Sequence, residues 1–266
     1  LAELIHITDP DDPRIAAYRD IRERDLVGRQ GKFVAEGRVV LRVLLSARRF
    51  VAESMLLLEN RVDGSTELID LVPPDMPVYV ASAAVLDKVA GFAMHRGILA
   101  IGLRGEVQSP QELLGSLPAR ALVVAVAGIS NHDNMGAIFR NAAAFGADAV
   151  VLDATCCDPL YRKAIRVSVG AALKVPFAVA ESIDDMVAAL GDADFDIVAL
   201  SPSGRTDIAD VVRGDRTALL LGSEGDGLPP EIMARLRTVR IAIASDFDSL
   251  NVAATSAVAL HRLWRG

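Results

Sequence analysis

Apolar residues in this chain fall into short continuous runs of strand length. Between those runs they recur every three to four positions, as on one face of a helix. In the first hundred residues the runs predict strands at Phe33–Glu36, Val51–Leu58, Pro77–Val80 and Gly97–Leu103. Helical spacing covers Arg14–Val27, closed by Gly28 as a C-cap, then Arg38–Ser46 and a segment from Ser82. Around Arg104 to Pro118 the pattern gives way to Gly, Ser and Pro, with one helical turn after Ser109-Pro110. Beyond it, strands are expected at Leu122–Ala127, Ala149–Leu152, Phe177–Val179, Ile197–Leu200, Ala218–Leu221 and Val239–Ile243. Helices are expected from Asn134 to Phe145, through Arg162–Val169, at Pro230–Leu236 and at Val252–Trp264. The second set of strands is apolar on both faces, as in a parallel sheet covered by helices. The fold class is therefore α/β: a smaller α/β domain over 1–105, a linker over 106–118, and a parallel-sheet domain over 119–266. No internal repeat or low-complexity stretch interrupts it.

A length of 266 residues suits two domains with separate cores, and 52% hydrophobic residues make a folded chain the default. The longest apolar run, Ala121 to Ala127, is far short of the roughly 18 residues of a membrane helix, so no membrane partner is expected. No secretion leader is seen, and the chain starts at Leu1 rather than Met. The two cysteines, Cys156 and Cys157, are adjacent, which disfavours a bridge and supplies too few ligands for a zinc site. No metal is expected, and a reducing cytoplasm fits best.

The net charge of −7 argues against nucleic acid until its distribution is considered. From Arg14 to Arg49 ten Lys/Arg stand against four acids, so that segment is +6 and the remainder −13. Nearby charges dominate under physiological screening, so a local basic face can still hold phosphates. A solvated helix face accounts for the same residues without any ligand.

Three stretches carry candidate chemistry. In the first, Asn131 to Asn141 running on to Phe145-Gly146, Asn134 stands at a helix start, and Arg140 can lean back over the first turn toward it. Both would then converge at the C-terminal edge of the first strand, where open α/β sheets bind ligands. A capping Asn and a surface Arg are the alternative. The second, Leu219 to Pro229, is a buried strand emptying into a glycine loop, Gly222-Ser223-Glu224-Gly225-Asp226-Gly227. Its glycines allow close backbone approach to a ligand, though a tight turn uses the same composition. Glu224, a carboxylate at the mouth of a parallel sheet, calls for a partner. In the third, Ile241 to Ala253, a strand ends in a polar loop and Ser249 and Asn251 introduce the last helix. An N-cap explains one of the two.

Taken together, in this order and spacing, these stretches resemble the three signature motifs of the SpoU family of RNA methyltransferases, in the SPOUT superfamily. N-x-G-A-I-x-R-N-x-x-x-F-G, L-G-S-E-G-x-G and S-L-N-V all stand here, and Arg162–Ala171 before Val175-Pro176 is similar to the segment between the first two. The resemblance covers Leu122 to the C-terminus. The first half, through Phe33-Val34-Ala35-Glu36-Gly37 and His95-Arg96-Gly97, resembles the family's ribosomal-protein-like RNA-binding domain. Two positions depart from the pattern: Ala242 stands where the family usually has proline, and Ala253 where serine is common.

The resemblance implies a deep trefoil knot and S-adenosyl-L-methionine held largely by backbone at Gly222, Ile241 and Leu250. It implies a homodimer with its site completed near the interface, and methyl transfer to a ribose 2′-hydroxyl of ribosomal or transfer RNA. Arg140 would lie nearest the attacking hydroxyl. Asn134, Ser249 and Asn251 would position hydroxyl and phosphate, and Glu224 would orient Arg140 or the loop. His132 is not part of the motif. Arg22, Arg29 and Arg38 are the candidate RNA contacts of the basic segment. Two other readings stand beside this one. One is a Rossmann-type small-molecule enzyme with Asp153 as its ribose-binding acid, against which the absence of G-x-G-x-x-G after the first strand counts. The other is an RNA-binding protein without catalysis.

Overall fold

The computed structural model describes residues 3–19, 30–47, 49–90, 97–244 and 248–264. The chain forms two compact units: Leu1–Glu106 with Leu160–Lys174, and Val107–Pro159 with Val175–Gly266. The segment Leu160–Lys174, which a linear division leaves in the second domain, thus packs within the first unit.

The first unit is built on a five-stranded mixed sheet. Its strands are β1 (Leu4–Ile7), β2 (Lys32–Glu36), β3 (Val51–Leu58), β4 (Val78–Ala81) and β5 (Ile98–Leu103), in the order β1-β4-β3-β5-β2. β1, β4 and β3 run parallel, while β5 is antiparallel to both β3 and β2. Phe33 is opposite Gly102, and a Cβ on Gly102 would stand 2.2 Å from the Phe33 ring, so the glycine makes room for a fully buried aromatic. Helices α1 (Arg38–Ala47), α2 (Thr66–Ile69) and α3 (Ala83–Ala90) complete the consecutive part. The helix expected over Arg14–Val27 is not continuous. Pro13–Tyr18 is a 3-10 turn capped by Asp12, and Arg19 is extended; residues 20–29, with Arg22 and Arg29, lie outside the described residues. Tyr18 anchors this turn in the core, its hydroxyl 2.8 Å from Ser54 Oγ.

In the second unit, Ser109 and Glu112 form a reciprocal capping box on α4 (Pro110–Gly115). Then follow β6 (Ala121–Val126), α5 (His132–Ala144) and β7 (Ala149–Asp153). The chain next crosses to the first unit for α6 (Arg162–Val167) and α7 (Ala171–Lys174). These two replace the single helix expected over Arg162–Val169, because Val169 (φ 54°) and Gly170 (φ 84°) are left-handed and break it. Back in the second unit come β8 (Phe177–Ala180), α8 (Ile183–Asp192), β9 (Asp196–Leu200), β10 (Thr206–Asp207), β11 (Arg216–Leu221), α9 (Pro230–Arg235), β12 (Arg237–Arg240) and α10 (Val252–Trp264). Strand order is β10-β12-β9-β11-β6-β7-β8, every pair parallel. The central strands β6 and β11 bury nearly every side chain, as the two-sided apolar runs require.

One connection positions the site. β9 and β10 flank β12 on opposite sides, yet only Ser201–Arg205 join them. Parallel strands usually need a dozen residues or more to connect. Here the short link lies directly across the β12 backbone. Ser201 N–H donates to Val239 O at 2.9 Å and Arg205 N–H to Thr238 O at 3.2 Å. A Cβ on Gly204 would fall 2.1 Å from the Val239 carbonyl carbon. β12 ends at Arg240, so the strand expected to run on to Ile243 stops short, and Ile241 leads the chain out beyond the crossing.

Candidate active site

All three motif stretches end on one side of the parallel sheet of the second unit. α5 begins two residues before Asn134. Its cap is Asn131, whose Oδ1 accepts from the N–H groups of Asp133 (2.8 Å) and Asn134 (3.4 Å). Asn134 is therefore not the cap, and its side chain is available for other contacts. Buried to within 8% of its surface, it donates from Nδ2 to Glu224 Oε1. Asn251 closes the group, donating from Nδ2 to Asn134 Oδ1 at 3.1 Å and to Glu224 Oε1 at 3.2 Å. The other end of the Asn251 amide caps α10: its Oδ1 accepts from the N–H groups of Ala253 (2.9 Å) and Ala254 (3.3 Å). One asparagine thus serves both as helix cap and as link to the carboxylate.

Two packings hold these parts in register. α5 and α10 lie side by side, and Asn141 Nδ2 donates across them to Ala253 O and Ser256 Oγ, both at 2.8 Å. The loop after β11 folds back on itself, with Ser223 bridging to Gly227. Gly222 permits that fold, since a Cβ there would stand 2.4 Å from the Gly227 carbonyl carbon. Its missing side chain makes room for the loop's own returning backbone. Gly128, left-handed at φ +70°, does the same for the neighbouring loop, where a Cβ would meet the Ser223 side chain at 2.9 Å.

Beside the Asn–Glu–Asn group opens a cleft of about 400 Å³. Its walls are the β9–β12 crossing (Leu200–Pro202), the glycine loop Gly222–Leu228, Ile241 and Ile243 after β12, and Ser249–Val252. The expected donor-binding residues Gly222, Ile241 and Leu250 all line it, as do Ser249, Asn251 and Glu224. Leu250 (42%) and Ile243 (36%) stay exposed there, apolar surface for a ligand to cover. A volume in the range of about 300–1,000 Å³, bare backbone at a glycine loop and a mixed apolar and polar lining suit a nucleoside-sized cofactor.

Arg140 does not join this group. It is exposed on α5, lines neither cleft, and its side chain makes no hydrogen bond or ion pair among the described residues. No hydrogen bond joins Arg140 to Asn134 among the described residues, and Glu224 accepts from two asparagines. Arg38 lies in the first unit, at the start of α1.

Asp153 borders a second, smaller hollow of about 290 Å³. Its carboxylate accepts from Gly128 N–H at 3.1 Å and Thr155 hydroxyl at 2.8 Å, which pins the loop after β6. It thus has a structural task, and the ribose-binding role of the Rossmann reading finds no glycine fingerprint beside it. Cys156 and Cys157 are free, and burial pushes their thiols up to about 12 and about 11, so neither is a thiolate nucleophile near neutral pH. Among the described residues no group of three or more His, Cys, Asp or Glu forms a metal site, and no helix is long and apolar enough to cross a membrane.

Residues 121–261 match the model of the SpoU rRNA Methylase family. The chain is 38% identical, over 97% of its length and 91% of the relative's, to an uncharacterized tRNA/rRNA methyltransferase of Mycobacterium tuberculosis. Its fold superposes on an rRNA methyltransferase of Sinorhizobium meliloti solved with AdoMet bound (TM-score 0.81, 21% identity, 98% of both chains). It also superposes on an RNA 2′-O ribose methyltransferase (TM-score 0.75, 24% identity, 99% of this chain and 98% of that one).

Proposed function

This chain belongs to the SpoU rRNA methylase family, and from that premise we propose that it transfers a methyl group from S-adenosyl-L-methionine to a ribose 2′-hydroxyl of ribosomal or transfer RNA. The observation that carries the reading is the Asn134–Glu224–Asn251 group at the rim of the 400 Å³ cleft. The cofactor supplies an electrophilic methyl on a sulfonium. Gly222, Ile241 and Leu250 would hold it, chiefly through backbone atoms, with Ile243 and Leu250 covering apolar surface. The bound-AdoMet and ribose-methylating structures of like fold support the choice of donor and acceptor.

The remaining work belongs to the protein. Glu224 accepts from both asparagine amides, so they are oriented before RNA arrives. Ser249 and Asn251 present a hydroxyl and an amide to ribose or phosphate. Holding the 2′-oxygen in line with the methyl can supply up to roughly 7–11 kcal/mol of the barrier. As the S–CH3 bond breaks and the O–CH3 bond forms, the hydroxyl proton passes to solvent water and Arg140 stabilises the charge on the attacking oxygen; an arginine is a poor base but a durable cation. Its exposed position on α5, away from the cluster, fits a homodimer in which it reaches the partner's cleft. The short link across β12 supports the knotted topology, and the free thiols support a reducing cytoplasm. Arg22, Arg29 and Arg38 remain the proposed RNA contacts of the N-terminal segment.

Calorimetric titration with the donor tests the reading first. Binding to wild type, weakened by Leu250→Asp and retained by Arg140→Ala, is expected. A chain that binds RNA but no donor would instead be the binding protein without catalysis.

A further inference from the structure

The family match runs without a break from 121 to 261, yet Leu160–Lys174 leaves that fold to pack in the first unit. This segment carries four basic residues, Arg162, Lys163, Arg166 and Lys174, and no acidic one. Without it, Leu1–Glu106 has 14 Lys/Arg against 16 Asp/Glu; with it, the first unit turns positive, while the second holds 10 against 19. Resting on the RNA-methylating reading above, we propose that the outward face of α6 is an RNA phosphate-binding surface of the first unit.

The face is built for it. α6 packs against β2, and its Ala164 and Ile165 and the following Ser168 are buried. At about 100° per residue, these place Arg162, Arg166 and Lys163 together on the opposite side, within roughly 100° of arc. Arg162 is held at one edge of that face, 3.7 Å from Glu36 Oε2, a carboxylate only 7% exposed. That contact docks the helix on the strand end, and Lys163 and Arg166 are both exposed. The Arg166 side chain makes no hydrogen bond or ion pair among the described residues. Arg38, exposed at the start of α1 with its guanidinium beside Gly64, is a further cation of the first unit. α1 and α7 are packed together, with Val43 against Gly170, so the segment is a fixed part of the unit. An ordinary solvated helix face mixes the two signs; this one carries a single sign on a chain whose net charge is −7. Its complement is a polyanion read by charge, which for this family means the RNA backbone rather than a base.

The test uses the full chain and a fluorescein-labelled 20-base-pair RNA hairpin, with affinity followed by anisotropy from 50 to 200 mM KCl. The double variant Lys163→Gln/Arg166→Gln is expected to bind more weakly, with a log–log salt slope shallower by about 0.7–0.9 for each phosphate no longer neutralised. The charge-preserving pair Lys163→Arg/Arg166→Lys should keep the wild-type slope, which separates lost charge from lost packing. Donor affinity by calorimetry should match wild type in both. Wild-type affinity and slope in the glutamine variant would overturn the proposal. Failure of the wild-type chain to bind the donor would overturn the functional reading instead, so the two failures are distinct.

Discussion

At the scale of single residues, Asn251 has two tasks that substitution can part. Its Oδ1 caps α10 and its Nδ2 reaches Asn134 and Glu224. Asn251→Ala should lose both, costing about 1 kcal/mol of stability through the cap alone. Asn251→Ser keeps a capping oxygen but is too short to reach Glu224. It should retain most of the stability in urea denaturation while kcat on RNA falls as far as in the alanine variant. Equal activity of Asn251→Ser and wild type would remove the Glu224 link from the site. The motif positions of these residues were legible in the sequence; their couplings were not. Spacing near a helix start made Asn134 a cap, because nothing in a linear pattern distinguishes it from Asn131, whose side chain takes the cap and leaves Asn134 to the carboxylate. Gly222 was legible as a place where backbone must come close. The backbone that comes close is its own loop's, at Gly227, so a side chain there would disorder the loop before it displaced a donor.

Among the elements, the two-sided apolar runs gave the parallel strands nearly residue for residue, since β6, β7 and β11 are buried on both faces. α8 was missed although its signals were present. Ser182 caps it through Asp185 N–H at 3.1 Å, and Ile183, Met186, Val187 and Leu190 follow at helical spacing. The two-residue β10 carried no signal, because its place depends on the crossing over β12 rather than on any local pattern. That crossing is where an element-level prediction is sharpest. A methyl at Gly204 meets fixed backbone at 2.1 Å, which cannot yield as a flexible side chain would. Gly204→Ala should therefore lose at least the roughly 1–3 kcal/mol typical of overpacking. It should also weaken donor binding, because Leu200–Pro202 form a wall of the cleft. Wild-type stability by urea denaturation together with wild-type donor affinity would mean that the link and β12 are not held against each other.

For the molecule as a whole, composition pointed to two units, and the structure has two, but with a chain path no linear division shows. The stretch expected as a linker over 106–118 holds α4, whose Leu113 and Leu114 are buried in the core of the second unit. The return of Leu160–Lys174 to the first unit was not readable, because its helical pattern does not encode which core it joins. The net charge concealed the same fact: an acidic second unit masks a first unit made positive by that excursion. On the proposed reading, the first unit would hold polyanion by charge and the second would position one ribose by hydrogen bonds. Alkaline hydrolysis reads the methyl acceptor without knowledge of the target site. RNA from cells lacking the gene is incubated with the enzyme and donor bearing a labelled methyl, then hydrolysed in alkali. Cleavage requires a free 2′-hydroxyl to attack the adjacent phosphate, so a 2′-O-methyl protects its linkage. The label is expected in alkali-resistant dinucleotides; label recovered in mononucleotides would place the methyl on a base and contradict the account.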